Sequence, residues 1–215
     1  SQRFSHEPHP AMVPIMPDDD IDLIKRETPF EGYFRIDRYT VRHRLFAGGM
    51  TGDVVREVFE RGHAAAVLPY DPVRDAVVLI KQFRIGAYAA GRPAWLTEIV
   101  AGIIEDGETA EAVARREAVE EAGLTVTELE KIGDILVSPG GSTETLALFC
   151  GRCDSQGAGG IHGVDDEDED IRVLVLPFEE AYESLRTGTI CTPPAIIALQ
   201  WLALNRDDVR ARWRD

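Results

Sequence analysis

Between Asp22 and Arg61 apolar and polar residues alternate, and the alternation predicts strands. Arg35–Arg44 (RIDRYTVRHR) sets Ile36, Tyr39 and Val41 among charged residues, imperfectly, and Val54–Phe59 (VVREVF) follows. Two apolar runs come next, Ala64–Pro69 (AAAVLP) and Ala76–Gln82 (AVVLIKQ). The segment between them, Tyr70-Asp71-Pro72-Val73-Arg74-Asp75, is rich in turn formers and predicts a hairpin. Trp95–Val100 (WLTEIV) reads as one short strand feeding Gly102. A helix is expected over Ala110–Ala122, capped by Thr109 and closed by Gly123. Glu130–Leu136 and Glu144–Cys150 read as strands around the loop Ser138-Pro139-Gly140-Gly141-Ser142. Asp154–Asp170 reads as a loop before strand Ile171–Leu176. Helices at Phe178–Arg186 and Pro194–Leu204 end the pattern, the second with an apolar face of Ile196, Ile197, Leu199, Trp201 and Leu202. Strands dominate and do not alternate regularly with helices. The class is therefore α+β, a mixed sheet between helices, rather than doubly wound.

Length and composition narrow this only a little. A chain of 215 residues can bury a sizeable core as one domain, or one with an appendage. No apolar run approaches the roughly 18 residues of a membrane-spanning helix. The first twenty residues, rich in Pro, His and Asp, lack the apolar core of a signal peptide and are expected to be a poorly ordered lead-in, residues 1–21. The expected location is the cytoplasm. Three cysteines, Cys150, Cys153 and Cys191, cannot build a disulfide framework and suit a reducing compartment. Cys150 and Cys153 have CxxC spacing but no second pair, so they read as core or loop thiols. His63 and His162 have no evident catalytic partners and read as satisfied or exposed histidines.

Charge changes the picture more. Residues 1–100 carry 13 Lys/Arg against 14 Asp/Glu, and residues 101–215 carry 10 against 24. So acidic a half argues against nucleic acid as the main partner. It leaves room for a small phosphate ligand, because a bound divalent cation lets carboxylates hold a polyanion. Arg56, Arg61 and Arg84 in the near-neutral half could touch the phosphates directly.

The chemistry concentrates in Gly102–Leu124, GIIEDGETAEAVARREAVEEAGL. At about 100° per residue, Glu117, Glu120 and Glu121 fall within one arc of about 100°, with Ala112, Ala118, Val119 and Ala122 on the other side. No Lys or Arg stands four residues after these glutamates to form the usual supporting pairs. Carboxylates crowded in this way need a positive partner, most simply a divalent metal held by Glu117 and Glu121 with Glu120 as a further ligand. The carbonyl of Ala101, beside Gly102, could complete a hard-oxygen shell. Asp165–Asp170 (DDEDED) is a second acidic element, in a long loop that could bring a carboxylate to the attacking water.

The same stretch resembles the Nudix box at every fixed position: Gly102, Glu108 and Arg116-Glu117-Ala118-Val119-Glu120-Glu121-Ala122-Gly123-Leu124. With HRLFAGG, REVFERGHAAAVLP, SPGGSTE, GIHG, EDEDIRV and PPAIIALQWL, from about Asp22 onward, the chain resembles bacterial ADP-ribose pyrophosphatases of the Nudix hydrolase superfamily. The resemblance implies a Nudix α/β/α sandwich at residues 62–215 and an antiparallel β-rich dimerisation segment at 22–61. It implies metal contacts from the Ala101 carbonyl, Glu117, Glu121 and a late-loop acid, with Mg2+ as the ion or Mn2+ in its place. The catalytic loop glutamate aligns with Glu167, and Glu169 is its neighbouring candidate. Arg56 and Arg84 match phosphate-holding positions, and Tyr33 and Phe34 lie where an aromatic ring packs on adenine. Ser138 and Glu144 match positions on the terminal-ribose side. Arg116 is implied to fix the box through Glu108. Pro139 matches a position associated with ADP-ribose preference. A homodimer that exchanges N-terminal strands is implied, with no nucleic acid or membrane partner. The expected reaction is hydrolysis of ADP-ribose to AMP and ribose 5-phosphate. The rivals are a pyrophosphatase for another nucleotide sugar such as GDP-mannose, and a sensor that binds ADP-ribose without cleaving it.

Overall fold

The N-terminal strands form a sheet of their own. In the computed structural model, which describes residues 19–164 and 169–214, β1 (Ile21–Glu31), β2 (Arg35–His43) and β3 (Val54–Glu60) pair antiparallel in that order. The imperfect alternation of β2 has a physical cause in Asp37. This carboxylate is fully buried and accepts hydrogen bonds from Arg26 and Thr28 of β1 and from Arg35. A buried charge so bonded can hold a position that an apolar side chain would otherwise take. The expected lead-in lies almost wholly outside the described residues. Loop residues 136–144 belong to the same compact unit. The N–H of Phe59 donates to Gly141 at 2.8 Å, and the N–H of Thr143 donates to the Phe59 carbonyl at 3.2 Å.

The second unit comprises residues 64–104, 108–135 and 145 onward. Its centre is the predicted hairpin, β4 (Ala64–Asp71) and β5 (Ala76–Phe83). The turn is set by its aspartates. Asp71 accepts the N–H groups of Val73 and Arg74, both at 2.9 Å, and Asp75 takes a left-handed φ of 55°. The two strands pair only at Tyr70–Val77 and Asp71–Ala76, then diverge. Into the opening come β6 (Trp95–Glu98), paired with β5, and β7 (Val100–Ile103), paired with β4. The single strand expected at Trp95–Val100 is therefore two, broken at the buried Ile99. A two-residue period carries no information on which neighbour a strand joins. The short helix α1 (Ile85–Ala89) between β5 and β6 buries no residue, so it leaves no apolar period to find.

Next come α2 (Ala110–Ala122), β8 (Leu129–Leu136), β9 (Thr145–Arg152), β10 (Gly160–His162) and β11 (Ile171–Pro177). The sheet order is β10-β11-β5-β4-β9-β8, with β9 parallel to β4 and the other registered pairs antiparallel. Three-residue β10 lies inside the segment expected to be loop and is too short to show a period. Every residue of β4 is buried, which requires cover on both faces. On one side Ala65, Val67, Val78, Ile80 and Phe149 pack with Val113, Ala114, Ala118 and Ala122 of α2. The alternate residues Ala66, Leu68, Leu79 and Leu148 are equally buried on the opposite side, where α3 (Phe178–Arg186) and α4 (Pro193–Trp213) contact the sheet. The result is an α/β/α sandwich around a mixed sheet.

Helix α4 runs past the expected end at Leu204 to Trp213. Its last turns are mostly charged, and they are held by Val209, Trp213 and the bond from Arg210 to Asp75 at 3.2 Å. Its buried stripe is Ala195, Ala198, Leu199 and Leu202, whereas Ile196, Ile197 and Trp201 are only half-buried. The small alanines face the sheet and permit close approach, a preference that hydrophobicity alone ranks the wrong way round.

Candidate active site

Helix α2 begins and ends as its sequence dictates. Thr109 accepts the N–H of Ala112 at 3.2 Å, and Gly123 takes φ 64° while its N–H and that of Leu124 close back on Val119 and Ala118. The orientation of the helix differs from expectation. Ala112 and Val119, assigned to the apolar side, are exposed, and Val113 and Ala114 are buried in their place. The sheet-facing arc therefore includes Glu117 and Glu121 instead of opposing them. Glu120 stands outermost, Glu117 is largely buried, and Glu121 is 3% exposed.

Turning carboxylates inward needs room and partners. Gly102 on β7 supplies the room: a Cβ there would lie 1.8 Å from Oε1 of Glu117. The neighbouring Ala101 donates its N–H to Oε2 of Glu121 at 3.0 Å. Arg116 supplies positive charge. Its Nε and Nη2 reach the two oxygens of Glu108 at 3.2 and 3.3 Å, and its Nη1 bridges Glu117 at 2.8 Å and Glu120 at 3.0 Å. Burial disfavours the Arg116 charge, but Glu108, Glu117 and Glu120 together hold its pKa well above the ordinary value.

Burial raises the pKa of Glu117; Arg116 opposes the shift, and the charges of Glu120 and Glu169 add to it. Glu121 is pushed up to about 8, chiefly by burial. The Ala101 N–H works against that shift, Glu117 and Glu169 reinforce it, and Arg84 relieves it slightly. Among the described residues no three Asp, Glu, His or Cys side chains already converge as a metal cage. The residues nevertheless fit a hard divalent cation. Two adjacent inward-facing carboxylates share one N–H and one guanidinium nitrogen, and such an oxygen donor set is completed most favourably by a divalent metal.

Glu169 belongs to the same electrostatic group. Its N–H donates to the Val164 carbonyl at 3.4 Å, and its carboxylate accepts the Val164 N–H at 3.3 Å. Glu167 lies outside the described residues. Arg84 stands just before α1 and donates to Glu98 at 2.7 Å, near enough for Glu121 to feel its charge. Nothing in the local sequence marks Glu98 as its partner; the pairing of β5 with β6 creates that contact.

The remaining candidates lie in the N-terminal unit. Arg56 is exposed and bonds the Val55 carbonyl. Tyr33 is 79% exposed and meets Phe34 edge-on, with ring centroids 4.7 Å apart. Phe34 also packs edge-on against Phe59 and lies under the Arg61 guanidinium at 5.9 Å. Glu144 pairs with Arg61 at 3.3 Å, and the Ser138 carbonyl accepts the N–H groups of Gly141 and Ser142. Cys150 and Cys153 are buried and form no disulfide; burial pushes Cys153 up to about 12, which keeps it a thiol. The Nε2–H of His162 donates to the Gly159 carbonyl at 2.9 Å.

Residues 60–196 match the NUDIX domain family. The chain is 51% identical over 195 residues to the ADP-ribose pyrophosphatase of Escherichia coli (strain K12), covering 91% of this chain and 93% of that protein. It is 44% identical to the ADP-ribose pyrophosphatase of Haemophilus influenzae, with 91% of each covered. Identity to the GDP-mannose pyrophosphatase of Cronobacter sakazakii is 38%, covering 86% of this chain and 96% of that one. Among solved structures, an ADP compounds hydrolase superposes with a TM-score of 0.67 at 17% identity, covering 94% of this chain and all of that chain, a likeness of fold.

Proposed function

The chain belongs to the NUDIX family and is a hydrolase of phosphoanhydrides, and from that premise we propose that it cleaves ADP-ribose with water to AMP and ribose 5-phosphate. One observation carries the reaction class: Glu117 and Glu121 face inward from α2 beside a glycine that leaves room for them. The choice of ADP-ribose is supported by the greater identity to ADP-ribose pyrophosphatases than to GDP-mannose pyrophosphatases.

Nudix ADP-ribose pyrophosphatases depend on a divalent metal, and we take it to be Mg2+ in this chain, with Mn2+ the alternative. Glu117 and Glu121 would hold it, with the Ala101 carbonyl and Glu169 as further oxygen donors. When bound, the cation neutralises the pyrophosphate oxygens and lowers the pKa of the attacking water. The chain does the rest. Arg84 and Arg56 bind and orient the phosphates, Tyr33 or Phe34 packs on adenine, and Ser138 and Glu144 face the terminal ribose. A late-loop glutamate, Glu167 or Glu169, accepts the proton as the water oxygen bonds to phosphorus and the bridging P–O bond breaks. Glu120 stands by Arg116, which keeps the box carboxylates and Glu108 in register.

The protein is further proposed to be a cytoplasmic homodimer joined through its N-terminal strands. Support comes from β1, where Ile21, Leu23, Ile24 and Phe30 are all exposed among charged neighbours, apolar side chains that a second chain could cover. Among the described residues no helix is long and apolar enough to cross a membrane.

Incubation with ADP-ribose and Mg2+ tests the proposal directly by AMP release, with GDP-mannose in parallel. Faster cleavage of GDP-mannose transfers the assignment to that substrate. Tight ADP-ribose binding with no AMP from folded, micromolar protein identifies a sensor instead.

A further inference from the structure

His162, the last residue of β10, lies against the glycine that closes α2. A Cβ on Gly123 would stand 2.7 Å from Cε1 of His162 and 3.3 Å from its Nδ1. Gly123 therefore serves two needs, the left-handed φ of a helix C-cap and a seat for the imidazole. The ring is also oriented by the 2.9 Å hydrogen bond that Nε2–H donates to the Gly159 carbonyl.

The contacts continue along the chain from this anchor. The N–H of Gly163 reaches the Glu120 carbonyl in the last turn of α2 at 3.4 Å. Gly163 has φ 109°, and a Cβ there would fall 2.8 Å from both the Cβ and the carbonyl oxygen of Glu169. Val164 and Glu169 then exchange the two hydrogen bonds described above. Bonds of 3.3–3.4 Å are too long to hold a side chain by themselves. A flat ring packed on a glycine at the helix end supplies the rigid support they lack.

We infer that His162 is a positioning residue for Glu169: its ring, seated on Gly123, fixes the late-loop carboxylate relative to Glu117 and Glu121. This rests on the proposed role of the late-loop acids in hydrolysis. The ring acts here as a planar spacer whose Nε2–H donates one fixed hydrogen bond.

The test uses His162→Ala and His162→Phe in the full chain, with two measurements. In His162→Ala, kcat for ADP-ribose is expected to fall on the order of tenfold to a hundredfold at nearly unchanged KM, because a carboxylate displaced by about 1 Å loses alignment without loosening substrate binding. Hydrogen exchange at the amides of Gly163 and Glu169 should quicken about tenfold while the amides of Ala118–Ala122 keep their protection. His162→Phe keeps a flat ring against Gly123 and should stay within about threefold of the natural exchange rates. Unchanged exchange in His162→Ala, a kcat that falls only in proportion to the folded fraction, or a Phe variant that behaves like Ala would each overturn the inference. The exchange measurement needs no substrate. A chain that fails to hydrolyse ADP-ribose but shows the local exchange change sinks the functional proposal while supporting the anchor.

Discussion

Gly102 and Glu117 compete for the same space: a methyl group on the glycine would fall 1.8 Å from Oε1 of the glutamate. The clashing atoms belong to the far end of a side chain that can rotate away. Gly102→Ala is therefore expected to cost little stability, about 1 kcal/mol for the displaced rotamer. It should nevertheless lower ADP-ribose turnover on the order of a hundredfold, because the carboxylate leaves its working position. Thermal melting and steady-state kinetics on one preparation separate the two effects. A large loss of stability at normal turnover per folded molecule would refute this role for the glycine.

Arg116 serves three carboxylates with one planar group. Lysine keeps the charge but cannot span Glu108 while bridging Glu117 and Glu120. Arg116→Lys should reduce kcat by roughly tenfold and raise the metal concentration needed for half-maximal rate. Mg2+ titration of the rate measures both, and an unchanged titration curve would show that charge alone suffices.

The raised pKa of Glu121 predicts a pH dependence in the metal-free protein. The group titrates at about 8 when folded, against an ordinary 4.5. The folded chain therefore holds a proton that the unfolded chain releases, a stabilisation complete below about pH 4.5 and lost as pH climbs through 8. Melting temperature in a chelator should fall over that window more steeply for the natural chain than for Glu121→Gln. A saturating divalent cation should restore stability at pH 8, since it binds the folded state. Parallel melting curves for the two proteins across the window would count against the buried, protonated Glu121.

Away from the box, Asp75 ties the hairpin to α4. It accepts the hydroxyl of the fully buried Tyr70 at 2.6 Å and pairs with Arg210 at 3.2 Å. Asp75→Ala leaves that hydroxyl buried without a partner and keeps an unfavourable positive φ, so destabilisation of about 2–4 kcal/mol is expected. Tyr70→Phe with Asp75→Ala should recover part of the loss, because both ends of the bond are then removed. Chemical denaturation of the single and double variants provides the check.

Where local chemistry is self-sufficient, the sequence already contained the answer. The caps Thr109 and Gly123 delimit α2 through hydrogen bonds made within a few residues, and the aspartates of Tyr70–Asp75 build their own turn. The spacing of Glu117, Glu120 and Glu121 likewise announced the chemistry of the box. What the sequence left open was everything set by partners distant along the chain. A helical wheel places the three glutamates on one face, but the direction of that face depends on the sheet. Only when β6 and β7 enter the opening between β4 and β5 does Gly102 come to lie beneath Glu117 and the Ala101 N–H beneath Glu121. The pairing of Arg84 with Glu98 and the seating of His162 on Gly123 arise in the same way. Periodicity reports which side of an element is apolar; the inward turn of two carboxylates comes from tertiary packing, because only there do the glycine's empty volume and the backbone donor meet them.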